Sequence, residues 1–280
     1  MPLFVVPTPL GNLGDITRRA IETLRGADLI VAEDTRVTRK LLGALGIASK
    51  ELWSYREQNA QAVTSSILDR AREARVALVT DAGTPGISDP GGDLVAAARD
   101  AGIAIDVLPG PSALLGAAVL SGFPLRRFTF EGFPPRTPAA RRKYFTDALR
   151  PGVTTVWYES PQRIVATLRD LEAVAPDAHV FVVREYTKKF EQQISGTPAA
   201  TAAALDSPVR GEIAFVIAPY ALAEPPVSAV DVDAAIDELL ASGVSVAEAA
   251  RRLAHAGAGN RRELYTRASR RRPPKEQPRT

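Results

Sequence analysis

Ten consecutive residues, Asp81-Ala-Gly-Thr-Pro-Gly-Ile-Ser-Asp-Pro90, place two carboxylates, two hydroxyls, two glycines and two prolines in one turn. Glycine lets backbone approach a ligand closely, and proline leaves little ordering entropy to lose on binding. A connection closed by an Asx-turn accounts for one Gly and one Asp, but not for so long a run of turn-formers, and the segment reads as a ligand loop. Other polar groups stand where strands end: Glu33-Asp-Thr-Arg36, Glu159-Ser-Pro-Gln-Arg163 and Arg184-Glu-Tyr-Thr-Lys-Lys189. Helix caps and ion pairs account for them as readily as catalysis does. The chain has no cysteine and only two histidines, His179 and His255. That excludes a disulfide framework, a thiolate nucleophile and a zinc–thiolate site, and no metal centre is expected.

The turn follows an apolar, β-branched run at residues 76–80 and precedes a helical spacing at 91–101, so the unit reads strand, structured turn, helix. In open α/β sheets ligands sit beyond the carboxyl ends of the strands, where this turn lies. Strands are predicted at 3–6, 27–32 and 103–108, with helices at 15–25 (capped by Asp15), 36–45 and 59–75 between them. Ser112 is expected to cap a helix reaching about residue 122, whose small apolar composition calls for burial. This β-α alternation implies a largely parallel sheet with helices on both faces. Beyond residue 122 the strands at 128–133, 153–158, 179–183 and 212–217, with a hairpin-like link at 190–195, point to a second, mixed sheet. The expected architecture is α/β: two consecutive domains, residues 1–112 and 113–220, with a cleft between them. A Pro- and Ala-rich linker at 221–230, a helix-turn-helix-like module at 231–270 and a disordered basic tail at 271–280 complete it.

The 280 residues carry a net charge of +3, unevenly spread. Residues 260–280 hold eight Lys/Arg against two acids, leaving 27 against 30 on the rest of the chain. A second basic cluster comprises Arg126, Arg127, Arg136, Arg141, Arg142 and Lys143. Basic segments on a mildly acidic body suit a polyanionic partner, although a solvated tail explains the last ten residues equally well. There is no cleavable leader pattern, and no apolar run approaches the ~20 residues that span a bilayer. No membrane association and a cytoplasmic location are expected.

Seven motifs stand in order: Pro7-Thr-Pro-Leu-Gly-Asn-Leu-Gly-Asp-Ile-Thr17, Ala32-Glu-Asp-Thr-Arg36, Asp81-Ala-Gly-Thr-Pro85, Leu108-Pro-Gly-Pro-Ser112, Glu131-Gly-Phe133, Tyr158-Glu-Ser160 and Arg184-Glu185. Together they resemble the tetrapyrrole-methylase superfamily, and within it the bacterial small-subunit ribosomal RNA cytidine 2′-O-methyltransferases. The resemblance covers nearly the whole chain. It implies S-adenosylmethionine in a cleft between two α/β domains, a homodimer, and 16S rRNA within the 30S subunit as substrate, methylated on a cytidine ribose in the decoding region. Methyl transfer from a sulfonium is chiefly a matter of positioning, which suits a chain without cysteine. A ribose hydroxyl benefits from a general base, for which the strand ends offer Glu33, Asp34, Glu159, Glu185 and Lys188, none of them singled out. For the cofactor the resemblance implies Asp81, Ala82, Gly83 and Ile87, with Pro9 and Gly11 facing Ser112 and Ala113, Tyr158 on the adenine or the sulfur, and strand backbone at Glu212 and Ala214. For RNA it implies Arg36, Arg136, Arg141, Arg142, Lys188, Arg261 and Arg262, with residues 270–272. Other readings are a methylase of a tetrapyrrole or of a modified protein side chain on the same fold and, from a different class, a nucleic-acid-binding regulator.

Overall fold

The computed structural model describes residues 2–222, 229–255 and 258–271, in two compact units that divide after residue 221. The first unit holds two five-stranded sheets. Strands β1 (Leu3–Val5), β2 (Leu29–Ala32), β3 (Glu51–Ser54), β4 (Val76–Val79) and β5 (Ile105–Val107) form the first, in the order β3-β2-β4-β1-β5 and wholly parallel. β2 and β4 are buried along their whole length, which is why their sequences are unbroken apolar runs.

Helices α1 (Arg18–Gly26) and α2 (Thr35–Ala44) cover one face of this sheet. On the other face lie α3 (Ala60–Glu73) and α4 (Gly92–Asp100). The chain leaves β1 toward β2 and leaves β4 toward β5, in opposite directions along the sheet. The topological switch point therefore falls between β1 and β4, where a ligand crevice opens in such sheets. Two local expectations change. Thr17, not Asp15, caps α1, its hydroxyl accepting from the Ala20 amide, while Asp15 ends a short 3-10 turn. β3, with only Leu52 and Trp53 as apolar residues, escaped the strand pattern.

The helix α5 (Ala113–Leu120) begins the second half. Its Ser112 cap accepts from the Leu115 amide, as expected. The expectation that α5 is buried fails: Ala117 and Ala118 pack on the second sheet, but Leu115 and Val119 are 55% and 70% exposed. An all-apolar helix has no polar face to reveal which side meets solvent.

The second sheet is mixed, as expected. Its strands β6 (Phe128–Gly132), β7 (Thr154–Glu159), β8 (Val180–Arg184), β9 (Gln192–Gly196) and β10 (Ile213–Ile217) run in the order β6-β7-β10-β8-β9. β6 and β7 are parallel and the remaining pairs antiparallel. Helices α6 (Pro138–Ala148), α7 (Ile164–Val174) and α8 (Pro198–Ala204) complete this half. The Trp157 ring stacks on Phe215 and meets Tyr144 and Phe145 edge-on, an aromatic core beneath the sheet.

The second unit contains α9 (Ala229–Ala241), α10 (Val246–His255) and α11 (Arg261–Arg271), closed around Val232, Ile236, Ala250, Leu253, Leu264 and Ala268. Most of the expected linker at 221–230 and all but the first residue of the expected disordered tail at 271–280 lie outside the described residues. No described helix is long and apolar enough to cross a membrane.

Candidate functional site

The loops leaving β1 and β4 hold each other. Thr8 and Gly83 exchange backbone hydrogen bonds at 2.9 and 3.0 Å, and the Thr8 hydroxyl donates to the Thr80 carbonyl. Gly83 sits at φ +82°, and a side chain there would press on Leu10 at 3.3 Å. Glycine satisfies both constraints, and the loop it shapes borders a cavity. The cavity measures about 470 Å3, within the size range of small-molecule sites.

One wall of the cavity is acidic. Glu33, at the end of β2, accepts from the Thr80 hydroxyl at 2.6 Å and from the Asp81 amide at 3.3 Å. Asp81 accepts from the Asp34 amide at 3.1 Å, and Asp89 completes the group. Burial, and next the Glu33 charge, push the Asp81 carboxyl upward. The same two causes lift Asp89 to about 7. Carboxylates crowded in a partly dry cleft favour a cationic ligand, whose charge relieves their repulsion.

The opposite wall comes from the second half. Tyr158 lies edge-on to Phe130 at 4.9 Å and to Phe133 at 5.8 Å. Burial, before the nearby carboxylates, pushes its phenol up to about 12, so it remains a hydrogen-bond donor at neutral pH. Tyr186 reaches the cavity between Glu185 and Thr187, which adopt left-handed φ of 53° and 68°. With Ser88 at 61° they are the non-glycine residues of positive φ among those described. All three belong to loops that line or border the cavity, where strained backbone concentrates in functional sites.

Of the eleven residues named for a cofactor, Asp81, Ala82, Gly83, Ile87, Ser112, Ala113, Tyr158, Glu212 and Ala214 line this one cavity. Pro9 and Gly11 do not; Leu10 faces it instead. Gly11 lies beneath the Lys188 stem, where a Cβ would fall 2.2 Å from Cγ. Sequence reading gave no role to Asp89, Ser88, Phe133 and Tyr186, which also line it. Each stood inside or beside a quoted motif, and that position was the available signal.

The candidate bases separate. Glu159 is buried, its side chain closed off by the Ser160 amide, the Thr167 hydroxyl and Arg163 at 2.8, 2.6 and 3.2 Å. It borders the cavity, but its buried carboxylate is engaged in anchoring the turn into α7. Asp34 caps α2 at the Arg36 amide and pairs with Arg36 and Arg56. The hydrogen bonds from Arg36 hold it well below the usual carboxylate range.

Lys188 bridges Glu185 and Glu212 at 2.9 and 3.0 Å. Burial acts downward on Lys188, but these carboxylates keep its pKa above the ordinary value, so it is a cation and not a base. Burial likewise acts upward on Glu185, yet the bonds from Lys188 and the Glu212 amide take it below its ordinary value. Glu33 lines the cavity with Asp81 and Asp89.

The RNA candidates divide too. Arg141 is 4% exposed; its guanidinium grips Asp170 and donates to the Pro135 and Arg136 carbonyls, so it holds the fold and is closed to phosphate. Arg142 shares Asp170 at 2.7 Å, and Arg36 is matched by Asp34. Arg126, Arg127 and Arg136 are exposed with no ion-pair partner among the described residues, as are Arg261, Arg262 and Arg270 on α11. Arg271 on the same helix is held by Asp233 and Asp237. Arg272 lies outside the described residues.

The family model for tetrapyrrole (corrin/porphyrin) methylases matches residues 2–203. The chain belongs to the tetrapyrrole methylase family. A Synechocystis sp. relative named ribosomal RNA small subunit methyltransferase I is 40% identical over 94% of this chain and 95% of its own. The Thermotoga maritima protein of the same name is 46% identical over 69% of this chain and 87% of its own. A solved diphthine synthase shares the fold at a TM-score of 0.59 and 18% identity, covering 78% of this chain and 90% of that one. Methyltransferases of the family use S-adenosylmethionine as methyl donor. The cavity suits that molecule. Its volume is sufficient, Ala82 and Gly83 line it without bulky side chains, and the carboxylate wall offers acceptors to an ammonium and a counter-charge to a sulfonium.

Proposed function

We propose that this chain transfers a methyl group from S-adenosylmethionine to the ribose 2′-hydroxyl of a cytidine in 16S rRNA, acting on the 30S subunit. The observation that carries the reading is the polarity of the cavity: among the described residues its lining includes carboxylates and aromatics but no Lys or Arg. A tetrapyrrole bearing carboxylates would meet repulsion there, whereas a cationic donor is welcomed. The names of the relatives supply the ribosomal RNA, and the unpaired Arg126, Arg127 and Arg136 supply a surface for its phosphates.

S-adenosylmethionine, when bound, supplies a methyl group with a neutral thioether as leaving group. The residues of the chain do the rest. Ala82, Gly83, Ser112 and Ala113 hold the nucleoside end, and Glu33 and Asp81 balance positive charge. Asp89, which shares the cavity with Tyr158, takes the proton of the ribose hydroxyl as the oxygen attacks. A carboxyl that titrates near 7 is matched to that task.

Lys188 ties the first loop to the second half through Gly11, Glu185 and Glu212. Arg261, Arg262 and Arg270 on the C-terminal unit offer further contacts to phosphate. The exposed face of α5, with Leu115 and Val119, is the surface on which a second copy would pack to form a homodimer. The location is the cytoplasm, where the substrate resides.

The test is incubation with labelled S-adenosylmethionine and 30S subunits from cells lacking this enzyme, followed by nucleoside mapping. The expected product is a cytidine labelled on its ribose. Label on a base, or on protein with none in RNA, would refute the reading.

A further inference from the structure

Phe133 is 52% exposed and is the one exposed large apolar side chain among those described that lines the cavity. Other exposed apolar residues have different settings: Phe190 lies beneath Lys189, and Leu115 and Val119 share the α5 face. The Phe133 ring meets Tyr158 edge-on along one side and leaves about half of its surface bare at the mouth of the site.

Its backbone is unusually well held. Arg163 donates to the Pro134 and Pro135 carbonyls at 2.6 and 3.0 Å, and the buried Arg141 donates to the Pro135 and Arg136 carbonyls at 3.3 Å. Burying a guanidinium is costly unless its partners are fixed in place, and the Arg163 Nε goes without a partner while its Nη2 serves this loop. Two arginines thus hold a four-residue loop whose exposed members are Phe133 and Arg136. On the near side, Gly132 at φ +65° brings the strand end to Ser88 of the ligand loop, 3.9 Å from where a Cβ would stand.

We infer that Phe133 is a rigid stacking platform for the unstacked nucleobase of the target nucleotide, with Arg136 holding an adjacent phosphate. The inference rests on the RNA-methylating reading above and names how its substrate is seated. In-line displacement demands that the 2′-oxygen be held within about 3–3.5 Å of the carbon it attacks. A ribose joined to a base that is clamped against a fixed ring has little freedom to drift. Stacking on an aromatic face is also tolerant of base identity, so sequence choice would reside elsewhere.

The test uses the full-length protein with Phe133→Leu and Phe133→Trp, both at an exposed position where the fold is not at risk. Three quantities are read: S-adenosylhomocysteine affinity by calorimetry, kcat/KM for 30S subunits, and fluorescence of the new indole on titration with a single-stranded oligocytidylate. Phe133→Leu should lower kcat/KM for RNA by roughly five- to 150-fold, the range for one stacked base. Its S-adenosylhomocysteine affinity should stay within two-fold of wild type. Phe133→Trp should retain kcat/KM, and its indole should be quenched by the oligonucleotide.

Equal RNA kinetics for Phe133→Leu and wild type would overturn the platform while leaving the methylation reading intact. So would a loss of S-adenosylhomocysteine affinity as large as the loss in RNA kinetics. Failure of the wild type to methylate RNA would remove the reading itself, and the inference with it.

Discussion

The two walls of the cavity are built from different sheets, and the difference between them divides the labour. The parallel sheet ends all its strands on one side, so the loops after β1, β2 and β4 converge and bring Glu33, Asp81, Asp89 and Gly83 together. The mixed sheet contributes Tyr158, Phe133, Tyr186 and strand backbone. Its arginines are spent in two ways, Arg141 and Arg163 to fix a loop, Arg126, Arg127 and Arg136 outside with no ion-pair partner among the described residues. The contrast teaches that charge alone does not mark a substrate surface. An arginine pairs inward or stays free according to what its neighbours bury.

The largest expected effect falls on the acidic wall. Gly83→Val puts a β-branched residue at φ +82° against Leu10, and the loop must move. S-adenosylhomocysteine affinity should fall at least about a hundred-fold in calorimetry, as expected when roughly 3 kcal/mol of strain opposes binding. An unchanged affinity would break the assignment of this wall to the donor.

Next comes Asp89→Asn, which should cut kcat by about a hundred-fold, the lower end of general-base catalysis, with cofactor affinity kept within a few-fold. Wild-type kcat/KM for S-adenosylmethionine should rise with pH through about 7, because Asp89 acts only when ionised and this ratio reports the free enzyme, and this limb should vanish in the variant. The stability effect has the opposite sense. Because the folded pKa is raised, the unfolded chain releases this proton first, so stability declines as pH rises from about 4 to about 7 and then levels off.

The smallest effect belongs to the opposite wall. Arg141→Met removes one of the two guanidiniums that hold the 133–136 loop and leaves Asp170 to Arg142 alone. Thermal or denaturant unfolding should show a loss of about 3 kcal/mol, the lower end for breaking a buried pair, since Arg142 remains. In the folded fraction, KM for 30S subunits should rise several-fold while donor affinity holds. A larger effect on the donor than on RNA would erase the distinction between the walls.

Much of this was legible in the residues. β2 and β4, buried on both faces, announce themselves as continuous apolar strands, and ten turn-formers after β4 mark the ligand loop. β3 was hidden because an edge strand with two apolar residues has almost no pattern. Arg141 looked like part of a basic surface because its partner Asp170 lies 29 residues away, a distance that only the fold closes. The exposure of α5 was illegible for a different reason: composition says that a helix is apolar, not what covers it. Phe133 stood in a quoted motif, but its exposure depends on loops held by arginines from α6 and from the turn into α7.

A crystal structure of the protein with S-adenosylhomocysteine puts the central claim to its most direct test. The ligand is expected in this cavity, against the 81–88 loop, with Ser112 and Ala113 beside its nucleoside and Phe133 left free at the mouth. Density for the ligand elsewhere, with the loop bare, would contradict it.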